Sequence, residues 1–92
     1  MIETVTHCTV FFEGHVQGVG FRFTTFQLAK GYELTGYVEN LSDGRVQLEL
    51  EGDREECLEF IKALAEEMAG FIRDKIKIES KRQPHFRDFT IR

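Results

Sequence analysis

Apolar and polar positions alternate from the start of the chain. In residues 5–12, VTHCTVFF, β-branched and aromatic side chains predict a strand with Cys8, Val10 and Phe12 on one face. A glycine-punctuated stretch follows from Gly14 to Gly20. The period then lengthens: FRFTTFQLAKGY, from Phe21 to about Tyr32, predicts a helix with Phe21, Leu28, Ala29 and Tyr32 near one side and Gly31 marking a frayed end. Residues 34–40, LTGYVEN, and 45–51, RVQLELE, alternate again, and Ser42-Asp43-Gly44 between them supplies the positive-φ position of a tight hairpin. Asp53 followed by Glu56 has the form of a capping box. Behind it Leu58, Ile61, Leu64, Ala65 and Met68 recur at helical spacing, which predicts a second amphipathic helix over about 54–68. Strand alternation returns in residues 73–79, RDKIKIE, and in FRDFTIR at 86–92, with Phe89 and Ile91 facing inward in a last short strand.

This order, β-α-β-β-α-β plus a C-terminal strand, predicts an α+β fold of the ferredoxin-like split βαβ type. A four-stranded antiparallel sheet carries two helices on one face and leaves its other face to solvent. Lys75 and Lys77 are then expected on that open face or on an edge, where charged side chains block edge-to-edge pairing. With 92 residues and no linker, repeat or low-complexity run, the expectation is a single domain, 1–92. Many unrelated activities share this fold, so function has to come from a site.

Composition narrows the classes of function. The nine Phe and 41% apolar residues suffice for a packed core, which excludes a disordered chain. A net charge of -4 and a pI of about 5.3 argue against a nucleic-acid partner, because such proteins carry a basic field that displaces counterions from phosphates. No secretory leader is recognisable in MIETVTHCTV and no apolar window approaches the length of a membrane span, so no membrane partner and a cytoplasmic location are expected. Cys8 and Cys57 are read as buried free thiols. His7, His15 and His85 are scattered, and His7 and Cys8 face opposite sides of a strand, so no metal and no cofactor are expected. Thr24 and Thr25, near the helix start, are read as surface or packing residues.

The segment that carries chemistry is Gly14-His15-Val16-Gln17-Gly18-Val19-Gly20-Phe21-Arg22. Three glycines in seven residues let backbone N–H groups converge on one point, and the helix N-terminus behind them adds partial positive charge. Arg22, within the first helical turn, brings a planar guanidinium able to bind two phosphoryl oxygens at once. No Gly-Lys-Ser/Thr follows, so this is not a Walker A loop, and it is not a dinucleotide GxGxxG. On spacing alone, an anion cradle and a glycine-rich turn with Arg22 as a surface charge both remain open.

The run GHVQGVGFR resembles the acylphosphatase signature GxVQGVxFR. Gly36-Tyr37-Val38-Glu39-Asn40-Leu41-Ser42-Asp43-Gly44-Arg45-Val46 is similar to the second signature of that family, GYxxN followed by a DGxV hairpin. The resemblance extends over essentially the whole chain, although 70–82 matches only in pattern. It implies that the backbone amides of His15, Val16, Gln17, Gly18, Val19 and Gly20 form the phosphate-binding loop. It also implies that Arg22 is the phosphate-binding arginine and that Asn40 orients the attacking water. Glu39 departs from the basic or neutral polar residue that many members carry. Strand alternation turns it away from Asn40, so the departure bears on substrate affinity rather than on catalysis.

The implied activity is that of an acylphosphatase (EC 3.6.1.7), hydrolysing the carboxyl–phosphate bond of acyl phosphates. Water attacks phosphorus directly, and Arg22 and the loop amides stabilise the phosphoryl oxygens. The carboxylate leaves easily, which fits the lack of a general acid at the matched positions. Inorganic phosphate is then both product and competitive inhibitor, and a chain this small is expected to act as a monomer. Two rivals use the same pattern. An RNA-recognition module shares the element order, but its stacking aromatics lie on the third strand, where RVQLELEG here is acidic and has none. A phosphate-binding relative without useful turnover, similar to the leading domains of hydrogenase-maturation carbamoyltransferases, belongs to longer chains, whereas here a free-standing hydrolase with no transferase after Arg92 is expected.

Overall fold

A computed structural model describes residues 3–92. The alternating first segment forms β1 (Val5–Gly14), with Cys8, Val10 and Phe12 fully buried on one face, as their spacing predicts. After it come α1 (Phe21–Ala29), β2 (Thr35–Asn40), β3 (Val46–Gly52), α2 (Arg54–Glu67), β4 (Ile72–Arg82) and β5 (Phe89–Ile91). The strands form one five-stranded sheet in the order β4-β1-β3-β2-β5. All neighbours pair antiparallel except β5, which runs parallel to β2 and adds to the four-stranded frame. This is the ferredoxin-like α+β fold.

Residues directly opposite in an antiparallel pair share a face. Three rows of side chains therefore cross the helix-covered face: Cys8, Leu50 and Gly36; Val10, Leu48 and Val38; and Phe12, Val46 and Asn40. The last row runs along one end of the sheet, where Asn40 closes β2 beside two fully buried apolar residues. The hairpin joining β2 to β3 turns as its sequence predicts, with Gly44 at φ +95° and the Leu41 N–H donating to Arg45 O at 2.8 Å.

Asp53 caps α2, accepting from the Glu56 N–H at 3.2 Å, while the Glu56 carboxylate accepts instead from the Glu33 N–H. The half-formed box thus ties α2 to the segment before β2. The buried face of α2 is Cys57, Phe60, Ile61, Leu64 and the adjoining Met68. Leu58 and Ala65, expected inward, lie on its flank and face a groove bounded by Lys75 and Lys77. In α1 the regular helix stops at Ala29, and Tyr32 is reached through tighter turns around Gly31. Tyr32 still meets the core, edge-on to Phe60 at 5.2 Å between ring centroids.

Of the two places expected for Lys75 and Lys77, the edge holds and the open face does not. β4 is an edge strand, and its register sets Lys75 opposite Phe12 and Lys77 opposite Val10, on the helix side. Ile76 and Ile78, opposite Phe11 and Thr9, are the side chains on the far face, and both are exposed. α2 packs over β1 and β3, so the outermost positions of the helix side carry lysine stems instead of branched apolar residues. Nor is the far face fully open. Glu49 and Glu51 are buried there, and Glu51 accepts from the backbone N–H groups of His85 and Phe86 and from Arg82 Nε, at 2.7, 3.1 and 2.6 Å. The segment between β4 and β5 is thereby fastened across that face. Burial opposes ionisation of Glu51, yet these donors outweigh it and hold its carboxyl below the usual carboxylate range.

Candidate active site

The loop between β1 and α1 is pinned at both ends. The His15 N–H donates to Phe71 O at 2.9 Å, and Val16 is fully buried in the core. The His15 amide, counted from the sequence among the phosphate donors, is therefore engaged elsewhere. Beyond it the chain arches outward through Gly18 and Gly20, both exposed and both at φ +78°, a conformation that costs a residue with a Cβ about 1–2 kcal/mol. Gly20 is also the N-cap of α1. It offers no side-chain cap, and the first turn of α1 contains no acidic residue. The leading N–H groups of α1 and the positive end of its dipole thus stay uncompensated beside the loop.

Arg22 is the second residue of α1, and its Nη1 donates to Arg92 O at 3.0 Å, which ties the guanidinium to the residue after β5. Asn40 approaches from the sheet. Its register partner Val46 shows that it faces the helix side, while Glu39, opposite Gln47, faces the far side. Together Val16, Gly18, Gly20, Phe21, Arg22 and Asn40 line a pocket of about 250 Å³, whose mouth carries Phe23 and Ile91. Arg22 is the one charged residue in this lining, so a chain of net charge -4 presents a cationic concavity here. The carboxamide Oδ1 of Asn40 is buried and has no hydrogen-bond partner. Such an orphan acceptor has an unmet hydrogen-bonding capacity, here on a residue that lines the pocket.

Gln17 has a role that its place in the loop did not reveal. Its Nε2 donates to Leu41 O at 2.8 Å and to Arg45 O at 2.9 Å, clamping the loop to the base of the hairpin that follows Asn40. Asp43 braces the same hairpin: bonds from the Arg45 N–H and guanidinium lower its pKa. Thr25 is a packing residue, fully buried, with its hydroxyl donating to Phe21 O at 2.7 Å. Neither Phe23 nor Ile91 was singled out for the pocket. Phe23 reads as one more aromatic of a helix, and Ile91, read as an inward residue of the last strand, lies beside Val38 in register but is 43% exposed. Among the described residues, no three His, Cys, Asp or Glu side chains converge as metal ligands, and no helix is long and apolar enough to cross a membrane.

The fold and pocket define an α+β protein with a backbone-lined, arginine-bearing anion site at the end of its sheet. A family model described as Acylphosphatase matches residues 8–91. The chain is 36% identical over 80 residues to an acylphosphatase of Thermotoga petrophila, covering 87% of this chain and 89% of that protein. Among solved structures, the acylphosphatase from Bacillus subtilis superposes with a TM-score of 0.83 at 28% identity, covering 94% of this chain and 97% of that one. T. kodakarensis HypF superposes with a TM-score of 0.76 at 32% identity, with 98% of this chain matching 12% of that much longer one. The chain belongs to the acylphosphatase family and is a hydrolase of that class.

Proposed function

We propose that this single domain hydrolyses the carboxyl–phosphate bond of acyl phosphates, with Arg22 and Asn40 as its catalytic residues. The phosphoryl group sits against the N–H groups of Val16, Gln17, Gly18, Val19 and Gly20 and the leading amides of α1. Arg22 turns from Arg92 O to grip two phosphoryl oxygens. Asn40 Oδ1 accepts a hydrogen from a water and holds the water oxygen toward phosphorus. As the new P–O bond forms, the bond from phosphorus to the acyl oxygen breaks and its electron pair leaves on the carboxylate. The water's proton passes to a phosphate oxygen, so the products are carboxylate and inorganic phosphate. A carboxylate is a good leaving group and needs no protonation, which suits a pocket whose lining contains neither a carboxyl group nor an imidazole.

The observation that carries this reading is that Asn40 lines the same pocket as Arg22 and that its buried carboxamide oxygen has no partner. A module that bound only phosphate would need the cradle and the arginine, but not an acceptor beside them. Turnover of benzoyl phosphate, run beside an ordinary phosphate monoester, tests the proposal. The acyl phosphate is expected to be hydrolysed, the monoester to be left nearly untouched, and inorganic phosphate to compete. Equal inertness of both compounds would reduce the site to anion binding.

A further inference from the structure

Five large apolar side chains are notably exposed among the described residues: Phe23 at 63%, Phe71, Ile76, Ile78, and Ile91 at 43%. Two of them, Phe23 and Ile91, belong to the pocket of Arg22 and Asn40. They come from different elements, the first turn of α1 and the end of β5. Phe23 follows Arg22 directly on the helix. Ile91 precedes Arg92, whose main-chain oxygen accepts from the Arg22 guanidinium. The arginine of the pocket and its two exposed apolar side chains are therefore brought together by neighbouring residues of the two elements.

Resting on the hydrolase reading above, we infer that Phe23 and Ile91 form a subsite for the acyl part of the substrate, which selects acyl phosphates with an apolar chain or ring. With the phosphoryl oxygens turned to the loop amides and Arg22, the acyl group has to leave through the mouth, past these two side chains. An aliphatic or aromatic group there covers apolar surface that is otherwise wet. A charged acyl group, such as a second carboxylate, meets no charged partner on the rim beyond the Arg22 that the phosphoryl already occupies. Phe23 and Ile91 are specificity residues in this account, and the reacting atoms lie below them.

Straight-chain acyl phosphates isolate the effect, because acetate and hexanoate are leaving groups of nearly equal basicity, and a rate difference then reports binding of the chain. For an open rim, kcat/KM for hexanoyl phosphate is expected to exceed that for acetyl phosphate by about tenfold, with succinyl phosphate no better than acetyl. In Phe23→Ser and Ile91→Ser the hexanoyl-to-acetyl ratio should fall toward one. Calorimetric binding of hexylphosphonate against methylphosphonate measures the same preference without turnover, and should show a similar ratio that drops in both variants. A ratio near one in the parent protein, or a ratio unmoved by either substitution, overturns the subsite. Preferential hexylphosphonate binding without hydrolysis of any acyl phosphate supports the subsite and removes the hydrolase reading instead.

Discussion

Asn40 separates an enzyme from a phosphate-binding module, because both need Arg22 and the loop but only hydrolysis needs a held water. Its Oδ1 is buried without a partner, so Asn40→Ala removes no structural hydrogen bond from that oxygen. The variant is expected to stay folded and to bind inorganic phosphate within a few fold of the parent. Its kcat should fall by about 10² or more, roughly 2.7 kcal/mol of lost positioning in the transition state. Measuring denaturant midpoint, phosphate affinity and kcat on one preparation decides the matter, and an unchanged kcat would remove Asn40 from the mechanism. Arg22→Lys tests the other half. A point ammonium cannot reproduce a bidentate fork, so phosphate affinity and kcat/KM should both drop, the latter by about 10² or more, with little change in stability because the present bond to Arg92 O is exposed. Parent-like kinetics would mark Arg22 as a surface charge. The place of Arg22 was legible from the sequence, since a strand, a short glycine loop and a helix start leave little freedom in where it can lie, whereas Asn40 was marked only by the resemblance of 36–46 to a family signature. The Gln17 clamp was not legible, because it depends on the hairpin folding back against the loop.

Between the strand and helix that it joins, the loop depends on backbone conformation more than on packing. A Cβ at Gly18 would meet nothing within 4 Å, so any penalty there arises from its φ of +78° and not from a clash. Gly18→Val should therefore destabilise the protein by about 1–2 kcal/mol and weaken phosphate binding, whereas Gly18→Asn, which tolerates the left-handed region better, should do less of both. Equal phosphate affinity in the Val variant, measured by competition against acyl phosphate turnover, would count against a cradle at this loop. The same distinction between backbone and surroundings explains which elements could be read from the sequence. Alternation in RDKIKIE gives the period of β4 but not its phase. The phase comes from pairing with β1, which sets Lys75 and Lys77 beside Phe12 and Val10 and turns Ile76 and Ile78 to the far face. In α2 the helical period was equally clear, yet the buried stripe is centred nearer Cys57 and Phe60 because Leu58 and Ala65 face the groove beside β4.

At the scale of the whole molecule, the far face of the sheet and the active site are joined through the C-terminal segment. Glu51, 2% exposed near the end of β3, holds the backbone at His85 and Phe86, and from there the chain runs into β5, the rim residue Ile91 and the Arg92 main-chain oxygen that contacts Arg22. A glutamate in an alternating strand reads from sequence as a solvated side chain. Its burial follows from a long-range crossing that no local pattern encodes. Because its carboxyl is held below the ordinary value of 4.5, ionised Glu51 contributes stability that is fully present above that pH. This contribution is lost as pH falls through the lowered folded value. Glu51→Gln keeps an acceptor for the two amides but loses the charge that they and Arg82 share, and should lower stability at pH 7 by about 1.5–3 kcal/mol. The loss should shrink toward zero in acid, where the parent carboxyl is itself protonated. Denaturant midpoints of both proteins at several pH values from 7 down to about 3 check this, and parallel curves would show that the acid limb of stability belongs to other groups. A second measurement links the two faces. If the segment fastened by Glu51 positions the rim, Glu51→Gln at pH 7 should reduce the hexanoyl-to-acetyl preference while the protein remains folded, since Ile91 lies at the end of that segment and Phe23 does not. A preference unchanged in that variant would mean that β5 is held in place by its pairing with β2 alone.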